Sequence, residues 1–465
     1  MIAVSGRFNT RSLVVVAFDT LLIGGAVVAA AYLRLGGDAW SVLIDDNGIG
    51  KTLLVALVVQ LCLYYGDLYD LRYLSDRREL VTRLLQALSP ASFILAALYF
   101  WFPGLVIGRG VFVIAALLVL LLIVGWRITF EWMSGRVAPH ERLLLVGTSA
   151  AAIGLARELF ERRHELGVEI VGFVDPDPAR IGDPVINPGV IGAVEDIPSI
   201  VRARSVDRVV VSLADARGKL PMQKLLDMKL DGVAFDHLAS VYEEYTGKIA
   251  VENLRPSWLI FSSGFKKSRV VSAGKRLLDI LAAAIGLIVL APVLAATALA
   301  VRLTSPGSVL YHQQRVGLHG RIFTVHKFRS MREDAEGATG PVWASRDGSD
   351  PRVTLVGRWL RRSRLDELPQ LWNVLKGEMS LVGPRPERPE FVGELTREIP
   401  FYGQRHIVRP GLTGWAQVRY TYGASVEDAL QKLQYDLFYI KNLTLSLDLF
   451  IILSTVKTVL LRKGA

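Results

Sequence analysis

Four apolar runs in the first 126 residues constrain this chain more than any other feature. They lie near Leu13–Leu33, Thr52–Tyr65, Leu84–Phe102 and Val111–Trp126. A helix needs ~20 apolar residues to cross a hydrocarbon core. The second run reaches that length only when Ile49-Gly50 and the stretch Gly66 to Leu68 are counted. Because the first run is one of four, it is expected to remain as a span and not to serve as a cleavable leader. Charge placement orients the set. Arg7 and Arg11 precede the first run, Arg72, Arg77, Arg78 and Arg83 dominate the second loop, and Arg127 and Arg136 follow the fourth run. The first loop carries Asp38, Asp45 and Asp46 against Arg34 and Lys51. Positive charge stays on the cytoplasmic side, so the N-terminus and everything after Arg127 are expected there. The four runs are also expected to carry no buried charge pairs of the kind that line transport pathways.

The rest of the chain is not membrane-like throughout. Of 465 residues, 51% are hydrophobic, high for a soluble enzyme, yet 21% are charged, too many for a pure helical bundle. The length allows two or three domains, and a membrane part joined to a soluble part satisfies both numbers. The net charge of +10 admits nucleic acid, anionic lipid or phosphorylated substrates. Nucleic acid is not expected, because no basic stretch is interleaved with aromatics. Cys62 is the only cysteine and sits in an apolar run, which excludes a disulfide scaffold.

From Arg142 the pattern changes to alternating strands and helices. LLLVGT predicts a strand, Ala150–Arg163 a helix, EIVGFVD a second strand, Asp207–Leu213 a third and Val233–His237 a fourth. Such alternation predicts a doubly wound parallel sheet, a Rossmann-like α/β domain. A dinucleotide would use Gly147 in the first turn and Asp175 at the end of strand two. However, Thr148-Ser149-Ala150 fills the turn, and Ser149 stands where the second glycine belongs. A structural or regulatory module is therefore favoured. Gly48-Ile49-Gly50-Lys51-Thr52 looks like the end of a phosphate loop, but Asp45 stands in place of its first glycine. The irregular segment Ala239–Arg269 reads as a connector with Trp258, Phe261 and Phe265 as packing anchors.

A fifth apolar run, Leu277–Val301, is as long as a span, and crossing would export the region after it. Lys266, Lys267, Arg269, Lys275 and Arg276 precede it, and Arg302, Arg315, Arg321, Lys327 and Arg329 follow. Both flanks favour the same side, and Pro292 near the middle can break the helix. A helix that enters one leaflet and returns is expected. Leu437–Leu461, with Lys441, Asp448 and Lys457, reads as an interfacial helix.

Between Gln313 and Arg388 the adjacent carboxylates Asp366-Glu367 stand among many arginines and lysines. A helix cap, Ser363-x-x-Asp366, with Pro369 near the helix start, explains one acid but leaves Arg358, Arg361, Arg362 and Arg364 without a role. The functional alternative makes Asp366 a nucleophile on phosphorus and Glu367 a ligand of Mg²⁺ on a diphosphate. Lys327, Arg329 and Arg385 would neutralise phosphate charge, with Gly383-Pro384-Arg385-Pro386 as a rigid loop presenting Arg385. His312, His319 and His326 lack a second ligand set, so surface or hydrogen-bonding roles are favoured.

The motifs Lys275-Arg276-x-x-Asp279, Thr304-Ser305-Pro306-Gly307, KFRSM, DPRVTLVGRWLRRSRLDELPQLWNVLKGEMSLVGPRP and RPGLTGWAQV resemble the bacterial sugar transferases. These are the monotopic polyprenyl-phosphate phosphoglycosyl transferases, and the resemblance covers about 271–461. Four N-terminal spans and a degenerate Rossmann-like domain are similar to the large subgroup that initiates exopolysaccharide assembly. The resemblance implies transfer of a hexose-1-phosphate, glucose by family habit, from a UDP-sugar to undecaprenyl phosphate, with UMP released. It further implies a ping-pong route through a phosphosugar-aspartyl intermediate on Asp366, and Mg²⁺ held by the Asp366-Glu367 pair. Lys327, Arg329, Arg364, Pro384 and Arg385 would surround the donor, and Lys275 and Arg276 would lie near the prenyl phosphate. A homodimer in the inner membrane is implied, with its catalytic domain on the cytoplasmic face. Ala291-Pro292 departs from the Ser-Pro of many members at the helix break.

The expected architecture is therefore a mixed membrane protein. A four-helix transmembrane bundle (1–136) precedes a Rossmann-like α/β domain (137–240) and a connector (241–270). A mostly helical monotopic catalytic domain (271–465) follows, with a re-entrant helix at 275–303. Two other functions compete: an NAD-dependent nucleotide-sugar epimerase or dehydratase, and a non-catalytic membrane scaffold.

Overall fold

The structure is a computed structural model that describes residues 10–45, 47–66, 68–69, 77–107, 109–137, 141–186, 188–212, 221–251, 264–265, 268–332, 352–420, 423 and 425–460. Arg7, Asp46, Arg72, Trp258, Phe261, Lys266 and Lys267 lie outside the described residues, as do the side chains of Arg11, Arg77, Arg78 and Arg136. The chain divides into two compact units, Met1–Thr246 and Gly247–Ala465.

Four long helices open the first unit: α1 (Thr10–Leu35), α2 (Gly48–Tyr65), α3 (Arg77–Trp101) and α4 (Arg109–Val137). Each contains a stretch long and apolar enough to cross a membrane. Their small and branched residues form the common core, among them Ile23, Ala30, Leu63, Leu84 and Ile123, while Leu21, Leu33, Leu53 and Leu121 point outward. Outward leucines on all sides suit lipid, not water. The protein is thus a membrane protein. One expectation is overturned. Asp19 of α1 and Arg127 of α4 form a fully buried ion pair at 2.6 Å, and Arg127 also donates to the carbonyl of Leu68. In sequence the two are 108 residues apart, so neither run shows the pair by itself. Their mutual neutralisation, with a third partner in a loop, makes the contact a fastener between α1 and α4.

The second part of that unit is a parallel sheet of β1 (Glu141–Val146), β2 (Val168–Asp175), β3 (Val190–Ala193), β4 (Arg208–Val211) and β5 (Ala234–His237). Its order is β3-β2-β1-β4-β5, the doubly wound arrangement with strand order reversing beside the first strand. Sequence patterning missed β3: four residues with a central glycine, close after Pro188-Gly189, give no periodic signal. Buried residues line both faces of the sheet. Helix α5 (Ala150–Glu161) inserts Leu155 and Leu159 on one face, and α6 (Ile197–Arg204) inserts Ile197 and Val201 on the other. Helix α7 (Met222–Leu230) follows β4, and α8 (Leu238–Thr246) packs Leu238 and Val241 on the sheet within the stretch read as a connector.

The second unit begins at Gly247, whose carbonyl accepts from the buried Trp415 indole at 2.8 Å. Phe265, the connector anchor that is described, donates its backbone N–H to Lys441. Helices α9 (Arg269–Val289) and α10 (Ala291–Thr304) meet at a 62° bend, with Pro292 in the first turn of α10, where its missing N–H costs nothing. A hairpin follows, β6 (Leu310–Val316) and β7 (Ile322–Phe328). Next come α11 (Leu355–Ser363), α12 (Gln370–Lys376), β8 (Ser380–Val382), α13 (Pro389–Glu398), β9 (Gly411–Thr413), α14 (Val426–Lys441) and α15 (Leu445–Leu460). Asn442–Thr444 separates α14 from α15, so the expected helix at 437–461 is two helices.

Two helices here bury charged residues while exposing large apolar ones. On α9, Leu277, Leu281, Ile285 and Ile288 are exposed while Asp279 is buried. On α15, Leu445 and Leu449 are exposed while Asp448 and Lys457 are buried. Charges turned inward and leucines outward are what a lipid-facing surface requires, because charge is costly in hydrocarbon and apolar surface is not.

Candidate active site

The Asp366-Glu367 pair sits in a single tight turn, Leu365–Glu367, between α11 and α12. Thr354 caps α11 by accepting from the Gly357 N–H at 2.9 Å. Arg364 ends the helix in the left-handed conformation, φ +58°, a strained state for a residue other than glycine. Ser363 does not cap the following turn; its hydroxyl donates back to Trp359 and Leu360 of its own helix. The capping explanation for the acids therefore fails, and the turn holds both carboxyls in the interior, each 8% exposed.

Three of the expected cations converge on one oxygen. Glu367 Oε1 accepts from Arg385 Nη2 at 2.7 Å and from Lys327 Nζ at 3.2 Å, and Arg364 Nη1 lies 3.7 Å away. Burial alone would raise the Glu367 pKa, but Arg385, Lys327 and Arg364 together hold it well below the usual carboxylate range. Asp366 behaves oppositely. Burial, reinforced by the neighbouring Glu367 charge, pushes it up to about 6 against the pull of Lys327, Arg364 and Arg361. Its Oδ1 is buried with no hydrogen-bond partner among the described residues, an orphaned acceptor that costs free energy unless something else completes it. Two adjacent carboxyls driven in opposite directions is an arrangement associated with chemistry more than with stability.

The remaining expected residues are placed elsewhere. Arg329 is 6% exposed and donates to the carbonyls of Pro306 (2.6 Å) and Ser305 (2.8 Å) and to the Ser305 hydroxyl. It fastens the Thr304–Gly307 turn instead of facing the carboxylates. Lys275 pairs with Asp448 at 2.7 Å and donates to the Val382 carbonyl at 2.9 Å. Arg276 donates to Val374 and Leu375, both at 2.7 Å, closing the C-terminal carbonyls of α12. All three cations engage main-chain carbonyls, which in sequence are indistinguishable from phosphate contacts. Pro384 stands in the loop before Arg385, and its carbonyl accepts from Gly411 N–H at 2.9 Å. That loop lies backbone against backbone with 411–414: a Cβ on Gly411 would stand 2.1 Å from Gly383 N, and one on Gly414 2.2 Å from Gly383 O.

Two further positioning side chains are Asn373, which gave no sequence signal, and Asp279 of the Lys275-Arg276-x-x-Asp279 motif, to which the sequence alone assigns no role. Asn373, fully buried, donates to Thr324 O and Glu378 at 2.7 Å each and accepts from His326 N–H at 3.2 Å, tying α12 to the strand that bears Lys327. Asp279 accepts from Ser380 Oγ and Leu381 N, joining α9 to β8. Of the three histidines, His312 and His326 face each other across the hairpin with their Nδ1 atoms 2.9 Å apart, and His319 occupies its turn. Among the described residues no group of three His, Cys, Asp or Glu could hold a metal alone. The two carboxyls, one with an unpartnered oxygen, nevertheless fit magnesium, which takes few protein ligands and completes its shell from phosphates and water.

The family described as bacterial sugar transferase matches residues 270–462, and that described as CoA-binding domain matches residues 65–224. The chain is 45% identical over 229 residues to a UDP-N-acetylgalactosamine-undecaprenyl-phosphate N-acetylgalactosaminephosphotransferase of Aeromonas hydrophila, covering 49% of this chain and 53% of that one. It is 36% identical to an undecaprenyl-phosphate glucose phosphotransferase of Komagataeibacter xylinus, over 72% of this chain and 61% of the other. With a UDP-glucose:undecaprenyl-phosphate glucose-1-phosphate transferase of Escherichia coli (strain K12) the identity is 33%, over 73% of this chain and 72% of the other. The chain thus spans about half of the first relative's length and about three-fifths of the second's. The match over residues 270–462 contains the whole cation-lined carboxylate turn, and the match to the Escherichia coli protein extends well beyond it: the chain belongs to the bacterial sugar transferase family.

Proposed function

We propose that the protein transfers a hexose-1-phosphate from a UDP-sugar to undecaprenyl phosphate and releases UMP. The observation that carries this is the unpartnered oxygen of buried Asp366 beside a glutamate that gathers three cations. In the first half-reaction an Asp366 oxygen attacks the sugar-linked phosphorus. A new P–O bond forms as the bond to the UMP oxygen breaks, leaving an aspartyl phosphosugar. In the second half-reaction a phosphate oxygen of the lipid attacks the same phosphorus and releases Asp366 as carboxylate. Lys327, Arg364 and Arg385, kept in place by Glu367, neutralise charge on the diphosphate and on the departing UMP. Glu367 and Asp366 would hold magnesium, which would supply further neutralisation of phosphate charge.

Location supports the same chemistry. The 62° bend between α9 and α10, with arginine at both ends of the pair, suits a helix that enters a leaflet and returns on its own side. The turn would then lie on the cytoplasmic face of the inner membrane, where a nucleotide sugar meets a lipid acceptor. A cysteine placed after Arg302 should be labelled only from the cytoplasm; labelling from outside would make the bent pair a span. A homodimer is part of the proposal and is read from the mass of the detergent-solubilised protein. The NAD-dependent alternative is not favoured, because the first turn of the sheet is filled by the protein's own side chains.

The deciding assay measures UMP release with undecaprenyl phosphate across a panel of UDP-sugars. We take glucose first, and UDP-N-acetylgalactosamine belongs in the panel because both sugars stand in the relatives' names. Release with one of them and none without the lipid phosphate over many turnovers supports the proposal. No release with any sugar would refute it.

A further inference from the structure

The loop Gly383–Pro386 presents Arg385 to Glu367, yet two of its four residues are prolines and have no N–H to secure it. The Gly383 N–H donates to Thr413 O at 2.9 Å, and beyond it the loop is held through carbonyls. Val382 O accepts from Lys275 Nζ at 2.9 Å and from the Tyr439 hydroxyl at 3.1 Å. Pro386 O accepts from Arg315 at 3.0 Å, and Glu387 O from the Val316 N–H. The carbonyl of Arg385 itself accepts from Arg405 Nη2 at 3.0 Å. Arg405 is 5% exposed, and the same Nη2 donates to Asp436 of α14 at 2.8 Å while Nη1 donates to the Tyr402 hydroxyl at 2.6 Å. Asp436 is 1% exposed.

We propose that Arg405, anchored by Asp436, is a positioning residue for Arg385: it fixes the backbone of that residue so that its guanidinium stays on Glu367. The inference rests on the transferase function proposed above and adds to it a residue outside the carboxylate turn. Backbone N–H groups hold Pro384 and Glu387, and any residue could supply those. Arg385 is instead held by a side chain, so the identity of residue 405 matters. Arg405 touches neither carboxylate and acts only through Arg385. A displacement of about 1 Å of a charge-neutralising group is enough to lose on the order of 10²-fold in rate.

The experiment is a double-mutant cycle in the full chain, with R405M, R385A and their combination compared for UMP release, alongside hydrogen exchange of the peptide spanning 383–388. R405M should lower kcat by about 10²-fold with a smaller change in KM for the UDP-sugar. Adding it to R385A should cost less than about twofold, because the group it positions is gone. R405K should recover at least about tenfold of the loss, since it keeps a charged donor for Asp436 and the Arg385 carbonyl. Exchange should rise in 383–388. If R405M does not fold, as an unpaired buried Asp436 would threaten, R405K replaces it in the same cycle. An equal rate loss in the R385A background, or unchanged exchange in 383–388, overturns the proposal. Absence of UMP release by the unmutated chain would refute the transferase function alone, because the exchange measurement still decides whether Arg405 holds the loop.

Discussion

Asp175, at the end of β2, and Asp366, in the turn between α11 and α12, are both buried acids, and their surroundings differ. At the end of β2, Asp175 accepts from the Thr148 hydroxyl at 2.6 Å and pairs with Arg180 at 3.3 Å, and Arg180 also donates to Thr148. Asp175 Oδ1 accepts from the Asp177 N–H. The position that holds a ribose in nucleotide-binding sheets is thus closed on itself. At the turn between α11 and α12, Glu367 is saturated by cations, but Asp366 Oδ1 has no partner and its carboxyl is destabilised as an anion. Asp19 and Asp279 also keep one buried acceptor without a partner among the described residues; what sets Asp366 apart is that its acceptor lies beside a glutamate that gathers three cations.

The largest effect that tests this contrast comes from the acids themselves. Asp366→Asn should lower UMP release by at least about 10⁴-fold, as removal of a nucleophile does elsewhere, and near-normal turnover would dissolve the distinction. Arg385→Ala should cost about 10²–10³-fold in kcat, the range for losing one charge-stabilising donor, measured at saturating UDP-sugar. Before metal and substrate bind, burial pushes Asp366 up to about 6, so kcat/KM, which reports the free enzyme, should fall about tenfold per pH unit below that value if this carboxylate attacks. A kcat/KM that stays flat down to pH 5 would contradict that expectation. The same raised pKa has a stability consequence. A carboxyl harder to ionise folded than unfolded stabilises fully below its unfolded value and loses that contribution as pH rises through about 6. Asp366→Asn should therefore stabilise the fold at pH 7.5, by up to about 3 kcal/mol, and change little at pH 3.5, as thermal unfolding would show. The smallest change in activity is expected at the closed network: Asp175→Asn should leave UMP release within about twofold while weakening the sheet unit by about 1–3 kcal/mol.

Much of the site could be read from residue order, because Asp366, Glu367 and the cations at Lys327, Arg364 and Arg385 form an excess of charge that no core or ordinary surface needs. Arg329, Lys275 and Arg276 looked the same in sequence, yet they meet main-chain carbonyls and, for Lys275, Asp448, whereas Lys327, Arg364 and Arg385 meet Glu367. Which partner a cation meets is decided by packing, not by residue order. The helix break at Pro292 was visible because proline acts locally, whereas β3 was not, being four residues held by pairing to β2. The Asp19–Arg127 pair escaped for the same reason as Arg405–Asp436: each joins distant segments and neither half is unusual alone. The reversed burial on α15 was missed because apolar periodicity does not reveal which side of a helix faces lipid.

The central claim is that Asp366 bonds covalently to the phosphosugar before the lipid acts. The direct measurement mixes the protein with UDP-sugar in the absence of undecaprenyl phosphate, then quantifies UMP and the mass of the peptide containing Asp366. The account predicts about one UMP per active site and a hexose-phosphate adduct on that peptide, both lost in Asp366→Asn. UMP that appears only after the lipid is added, with no adduct on the Asp366 peptide, would contradict it.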